Sequence, residues 1–381
     1  MELVKDLPEI FEEFNDARKN SFIAAKELKD KGKPIVGVFC TFLPQEIPLA
    51  MNAAVVSLCA TSDETISDAE RDLPRNLCPL IKSSYGFAKT DKCPFFYFSD
   101  IIIGETTCDG KKKMFEYLEE FKPVHVMELP NTTRYVDMWQ KEIVRFREAL
   151  EEKFEVKITE ESIKEAIKLK NRERKALKAF YELGKLEPLA LKGQDLHKVL
   201  YGSSFKFDKE EAIKDIEELT AKIKKEYEEG KRLDPRPRIL ITGCPIGGAS
   251  EKVIKAIEDN GAYVVAFENC SGLKTLEELV DEENENVYEA LAKKYIEIGC
   301  SCMSPNNNRL DIIRKAIDDF KVDAVVDVIL QACHTYNVET LKIKRIVNEE
   351  KGKPYMSIET DYSSSDIEQL NTRMAAFIEM I

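Results

Sequence analysis

The sequence has no apolar run of the roughly 18 residues that a membrane-spanning helix needs. Its opening stretch, MELVKDLPEIFEEF, is acidic and amphipathic, unlike a signal peptide. The expected location is therefore cytoplasmic. Basic charge is also short. The 57 Lys and Arg face 70 Asp and Glu, leaving a formal net charge of −13. No basic tract offsets this, so neither nucleic acid nor an anionic membrane surface is an expected partner. The longest basic run, Lys111 to Lys113, reads as a solvated helix face. Histidine is limited to His125, His197 and His334, which disfavours an imidazole-built metal site. C-x-x-C pairs are missing, which excludes a zinc ribbon and the bacterial ferredoxin run. A phosphate-binding loop is missing too. GCPIGG at Gly243 to Gly248 follows a strand pattern, but its glycines are wrongly spaced for a dinucleotide fingerprint. Any ATP-driven step would have to reside in a partner.

What is present is an ordinary globular composition, 43% hydrophobic and 33% charged over 381 residues, enough for two or three domains. Residues 1–33 read as amphipathic helix. Buried strands follow at Pro34 to Phe39, Ala53 to Leu58, within the apolar run Phe95 to Ile103, and at His125 to Leu129. From about Asn131 to Leu233 long charged helices take over: Trp139 to Phe154, Thr159 to Leu183 and Lys209 to Leu233. The α/β alternation then restarts. Strands are expected at Arg238 to Thr242, Tyr263 to Phe267, Ala324 to Leu330 and Tyr355 to Ile358. Strands separated by helices imply α/β architecture, with doubly wound parallel sheets. The expected domains are an N-terminal α/β domain over 1–140, a helical connector over 141–235 and a C-terminal α/β domain over 236–381.

The chemistry is carried by ten cysteines. In a cytoplasmic chain they are poor candidates for disulfides. The organising stretch is Ile101 to Met114, IIIGETTCDGKKKM, where an apolar run ends in a turn with Cys108 and a helix begins. That places Cys108 at the carboxyl end of a sheet and beside a helix N-terminus, where ligands bind and thiolates are stabilised. Cys40, Cys59, Cys244, Cys270 and Cys333 also fall at or just after strand tips, and Cys78, Cys300 and Cys302 lie in loops beside Pro or Asn. Cys93, before the apolar PFFYF, reads as plain core. Core filler would fall within strands and helices as often as at their tips, so the set points to metal or cluster binding. Thiolates from scattered loops suit an iron–sulfur cluster.

Four motifs, LPRNLCPLIKSSYG, GETTCDGKKKM, GCSCMSPN and VILQACHTYN, resemble those of the 2-hydroxyacyl-CoA dehydratase and benzoyl-CoA reductase subunit family. Within it, the chain is most similar to the double-cubane cluster proteins. The resemblance implies two flavodoxin-like (Rossmann-like) domains with a helical insert, a homodimer, and a cluster in the interdomain cleft. It implies that Cys78, Cys108 and Cys333 hold one cubane. A further three ligands, from among Cys40, Cys244, Cys270, Cys300 and Cys302, would complete an [8Fe–9S] double cubane; the expected set is Cys40, Cys270 and Cys302. An ATP-hydrolysing iron–sulfur activator would supply electrons, and a small, hard-to-reduce molecule would be the substrate. His334, next to an expected ligand, is the candidate catalytic proton donor; Glu105, Lys111 and Gln331 flank the ligand loops. Two other readings stand beside this one: a dehydratase subunit with a single [4Fe–4S] cluster, and a non-catalytic electron-transfer protein.

Overall fold

The computed structural model describes residues 20, 21, 23–243 and 247–381. Most of the helix expected over residues 1–33 lies outside the described residues, as does Cys244. Two parallel four-stranded sheets carry the fold. The first comprises β1 (Ile35–Val38), β2 (Ala54–Ser57), β3 (Ile101–Glu105) and β4 (Val124–Met127), in the order β2-β1-β3-β4. The second comprises β5 (Arg238–Gly243), β6 (Tyr263–Glu268), β7 (Ala324–Leu330) and β8 (Tyr355–Thr360), in the order β6-β5-β7-β8. The two orders are equivalent, and both match the first four strands of a flavodoxin-like sheet. Every residue of β1, β3, β5, β6 and β7 is buried. That is why these segments read as continuous apolar runs: helices cover both faces of a parallel sheet. Strand order reverses between β1 and β3 and again between β5 and β7, so each sheet has a crevice at the carboxyl ends of those strands.

The run Phe95 to Ile103 divides in two rather than forming one strand. Pro94 opens a short helix, Pro94–Phe98, whose first turn is capped by the Cys93 thiol accepting from the Phe96 amide at 3.4 Å. Asp100 then accepts from the Ile35 amide at 2.9 Å, which sets β3 beside β1.

Between the sheets the chain is helical: Val136–Phe154, Glu160–Tyr181, Gly193–Gly202 and Lys209–Glu228. Trp139, Ile143, Phe146 and Leu150 form the buried stripe of the first of these, each worth about 1.5–3 kcal/mol of burial. They pack in one core with β1, β3 and the Val287–Ile296 helix, so the two α/β sections interlock. The Glu160–Tyr181 helix adds polar ties across them. Arg174 donates to Glu46 at 2.7 Å and to the Tyr295 hydroxyl at 2.8 Å, while that hydroxyl donates to Glu46 at 2.7 Å. Asn171 exchanges two hydrogen bonds with the Val280 backbone.

Candidate metal centre

The cysteines gather at the sheet crevices in two groups. In the first, three helices begin on a cysteine. Cys78 is the N-cap of Pro79–Lys89, Cys108 of Asp109–Leu118 and Cys333 of His334–Arg345. Each helix runs long enough to present a positive dipole end to its thiol. Cys78 feels the electrostatic influence of both Cys333 and Cys108. Burial and these neighbouring thiols push its pKa up to about 12, against the pull of the Leu80 and Ile81 amides. The approach of the first two helices is tight: a Cβ on Gly110 would meet Ile81 at 2.6 Å.

The second group surrounds the ends of β1 and β6. Cys40 senses Cys300 and Cys270, and Cys302 senses Cys40. Burial raises the Cys40 thiol far above its usual range. Within the GCSCMSPN loop the Cys300 and Cys302 side chains influence each other, which lowers the pKa of Cys300 and raises that of Cys302. The Cys300 sulfur lies 3.6 Å from the Tyr336 hydroxyl, and that hydroxyl accepts from Lys274. Asn131, at the end of the first sheet, donates to the Cys302 carbonyl at 3.3 Å and accepts from the Ser304 amide at 2.8 Å. The loop is thus pinned across the cleft. Cys59, at the tip of β2, donates its thiol hydrogen to the Phe39 carbonyl at 2.8 Å, a satisfied structural contact.

Lys111 stands between the groups. It is buried, while Lys112 and Lys113 are exposed, so the solvated-face reading of this run holds for two of its three lysines only. Burial works against the Lys111 ammonium. Cys40, Cys59, Glu105 and Cys108 nevertheless raise its pKa well above the usual lysine range. Beside it, Glu105 is fully buried, and neither carboxylate oxygen has a hydrogen-bond partner among the described residues. Burial pushes Glu105 up to about 8, against the pull of Lys111. Gln331 is exposed and ties the end of β7 to β8 through its backbone amide. His334 is the exposed first residue of its helix, next in the chain to Cys333.

Sequence reasoning missed the polar floor of the second group. Arg309, fully buried, donates to Glu268 at 3.0 Å, to Glu339 at 2.6 Å and to Thr242 at 2.9 Å. Its guanidinium lies 4.7 Å from the centroid of the Tyr336 ring. The signal for it is positional: Arg309 shares a helix face with the buried Ile313, Ala316 and Ile317.

Among the described residues, no three His, Cys, Asp or Glu side chains converge closely enough to hold a single metal ion. The donor set is instead a wide array of thiols at helix N-termini and strand tips.

The model of the 2-hydroxyglutaryl-CoA dehydratase D-component matches residues 40–381. The chain belongs to this dehydratase family. It is 60% identical, over the full length of both chains, to YjiM of Escherichia coli (strain K12), which is named as a dehydratase subunit. It is 24% identical to the (R)-phenyllactyl-CoA dehydratase beta subunit of Clostridium sporogenes, over 97% of this chain and 98% of that one. Against the lactoyl-CoA dehydratase subunit beta of Anaerotignum propionicum it is 23% identical, over 98% of each chain. Among the described residues, no helix of this family member is long and apolar enough to cross a membrane.

Proposed function

We propose that this chain is an iron–sulfur enzyme whose [8Fe–9S] double-cubane cluster sits in the cleft between its two α/β domains. The domains would span 1–140 and 236–381, joined by the helical connector 141–235. Cys78, Cys108 and Cys333 would hold one cubane. Cys40, Cys270 and Cys302 would hold the other, with Cys300 the competitor for Cys302. Bound there, the cluster would supply low-potential electrons for reducing a small, hard-to-reduce substrate, toward the negative end of the roughly −700 to +450 mV range of such centres. Electrons would come from an ATP-hydrolysing iron–sulfur activator. The working form would be a cytoplasmic homodimer.

The observation that carries this reading is the division of the thiols into two groups with a buried ammonium, Lys111, influenced by both. An anionic, thiolate-bound cluster requires positive charge close by. Three helix N-termini and Lys111 supply it to the first group, and Lys274 supplies it to the second. Among the described residues, the buried oxygens of Glu105 have no hydrogen-bond partner, as expected of a side chain that faces a bound group. His334, exposed at its helix start, remains a candidate proton donor from the solvent side.

The names of the two more distant relatives favour a second reading, a 2-hydroxyacyl-CoA dehydratase subunit with one [4Fe–4S] cluster on the first group. Iron and acid-labile sulfide in anaerobically purified protein separate the two. The double cubane requires about eight irons per chain, falling in both Cys78→Ala and Cys270→Ala. About four irons, lost only in Cys78→Ala, would replace it with the single-cluster reading. Cys300→Ser and Cys302→Ser, measured the same way, assign the sixth ligand. Iron without turnover of any small substrate, activator and ATP supplied, would mean a non-catalytic electron carrier.

A further inference from the structure

A cavity of about 190 Å³ opens beside the second thiol group. The end of β1 lines one wall with Thr41 and Gln45, and the turn after β6 lines another with Cys270 and Ser271. The Glu160–Tyr181 helix closes a third.

Its charge is lopsided. Among the described residues, Lys170, Arg174, Lys209 and Lys294 line it, against Glu173 as the single lining carboxylate. Lys170 and Lys209 share Glu173, the latter at 2.9 Å. Arg174 is matched by Glu46 from behind the wall. Among the described residues, four basic side chains thus line the cavity with one carboxylate, and Glu46 and Glu278 act from behind the wall, in a chain whose net charge is −13.

Lys294 is the residue left over. It is 8% exposed and lines the cavity, yet among the described residues no hydrogen bond or ion pair is formed by its ammonium. The Tyr295 ring centroid lies 4.3 Å from it, and the ring attracts a cation without neutralising it. Burial, with Arg174 and Lys170 nearby, pushes its pKa well below the usual lysine range, against the pull of Glu46 and Glu278. A buried amine without a close partner tends to give up its charge, and an anion bound beside it favours the ammonium again. An anion in the cavity would supply the missing partner.

We propose that this cavity is a binding site for a small carboxylate-sized anion, held by Lys294 with Lys170 and Arg174 against the Cys270 side of the cleft. The volume is well below the roughly 300–1,000 Å³ of pockets for drug-sized ligands, which suits a small anion. The inference deepens the proposed function by naming the class of substrate as anionic. Its role as a substrate site rests on that reading; binding of the anion does not.

The test uses the anaerobically purified full chain and titration calorimetry at fixed ionic strength. Sodium formate is the probe and formamide its neutral counterpart of the same shape. Formate is expected to bind and formamide not to bind. Lys294→Met, similar in length and uncharged, is expected to weaken formate by about tenfold or more, at unchanged iron content and thermal stability. Should that variant fail to fold, Lys209→Gln at the edge of the cavity is expected to weaken formate by about threefold. Equal binding of formate and formamide, or wild-type affinity in these variants, overturns the proposal. Iron is counted in the same samples. Formate binding without iron would sink the cluster reading and leave the anion site standing. Iron without formate binding would overturn this inference alone.

Discussion

Glu258 shows how a single buried carboxyl both organises a helix start and makes stability depend on pH. The Gly193–Gly202 helix begins after Lys192, which offers no side-chain cap. Glu258, from the Gly248–Asp259 helix, supplies one instead. It accepts from the Gly193 amide at 2.7 Å and the Gln194 amide at 3.4 Å. Burial raises its pKa from 4.5 to about 7, and the amide donors only partly offset this. Above about pH 4.5 the unfolded chain loses this proton while the folded chain keeps it. Stability is therefore expected to fall as pH rises from about 4.5 through about 7, by roughly 3 kcal/mol from this group. Urea midpoints for wild type and Glu258→Gln across that window check it: the variant should lose this part of the slope, and parallel profiles would refute the assignment. At the same scale, Lys111 was readable and was misread. It lies at i, with Met114, Phe115 and Leu118 at i+3, i+4 and i+7, so the buried stripe passes through it. Composition alone, three lysines in a row, points outward. The periodicity points Lys111 inward.

At the scale of elements, buried parallel strands were the most legible feature, because burial on both faces writes them as unbroken apolar runs. Ala324–Leu330 matches its expected span at both ends, and the other strands differ by a residue or two, except β3, which begins six residues after the start of its apolar run. The short helix Pro94–Phe98 was not legible as one, since five apolar residues carry no periodicity to separate helix from strand. The helix N-caps were visible only as a loop position at Cys78 and as a strand tip at Cys333. Their geometry depends on where the following helix docks, which local sequence does not encode. The β3 unit makes this docking testable. A Cβ on Gly104 would meet the Phe115 ring at 2.5 Å, so the strand and the helix that Cys108 caps are in close contact there. Gly104→Ala is expected to cost about 1–3 kcal/mol by overpacking. It should also lower iron retention by displacing Cys108. A variant with wild-type urea midpoint and iron content would show that the helix shifts freely and that Cys108 needs no such fixed seat.

At the scale of the whole molecule, the repeated strand order was suggested by the matching order of elements in the two halves, but the ties between the halves were not. Arg174 meets Glu46 and Tyr295 across separations of 128 and 121 residues, and no local pattern pairs such groups. The triad is buried in full, and Glu46 is held below the usual carboxylate range by Arg174 and Lys170 despite the opposing effect of burial. A buried pair with one member removed leaves an uncompensated charge, which costs about 3–5 kcal/mol. Glu46→Ala is therefore expected to lower the thermal midpoint by roughly 5 °C in a chain of this size. Because the core around Trp139 draws on both α/β sections, unfolding should remain a single transition in wild type and variant alike. Replacing both charges, Glu46→Ala with Arg174→Met, should recover much of the loss, since the stranded guanidinium is then gone. Scanning calorimetry decides between this and independent halves. Two resolved transitions, or a double variant no more stable than Glu46→Ala, would mean that the triad does not couple the halves. The cleft would then be held by the cysteine-bearing loops alone.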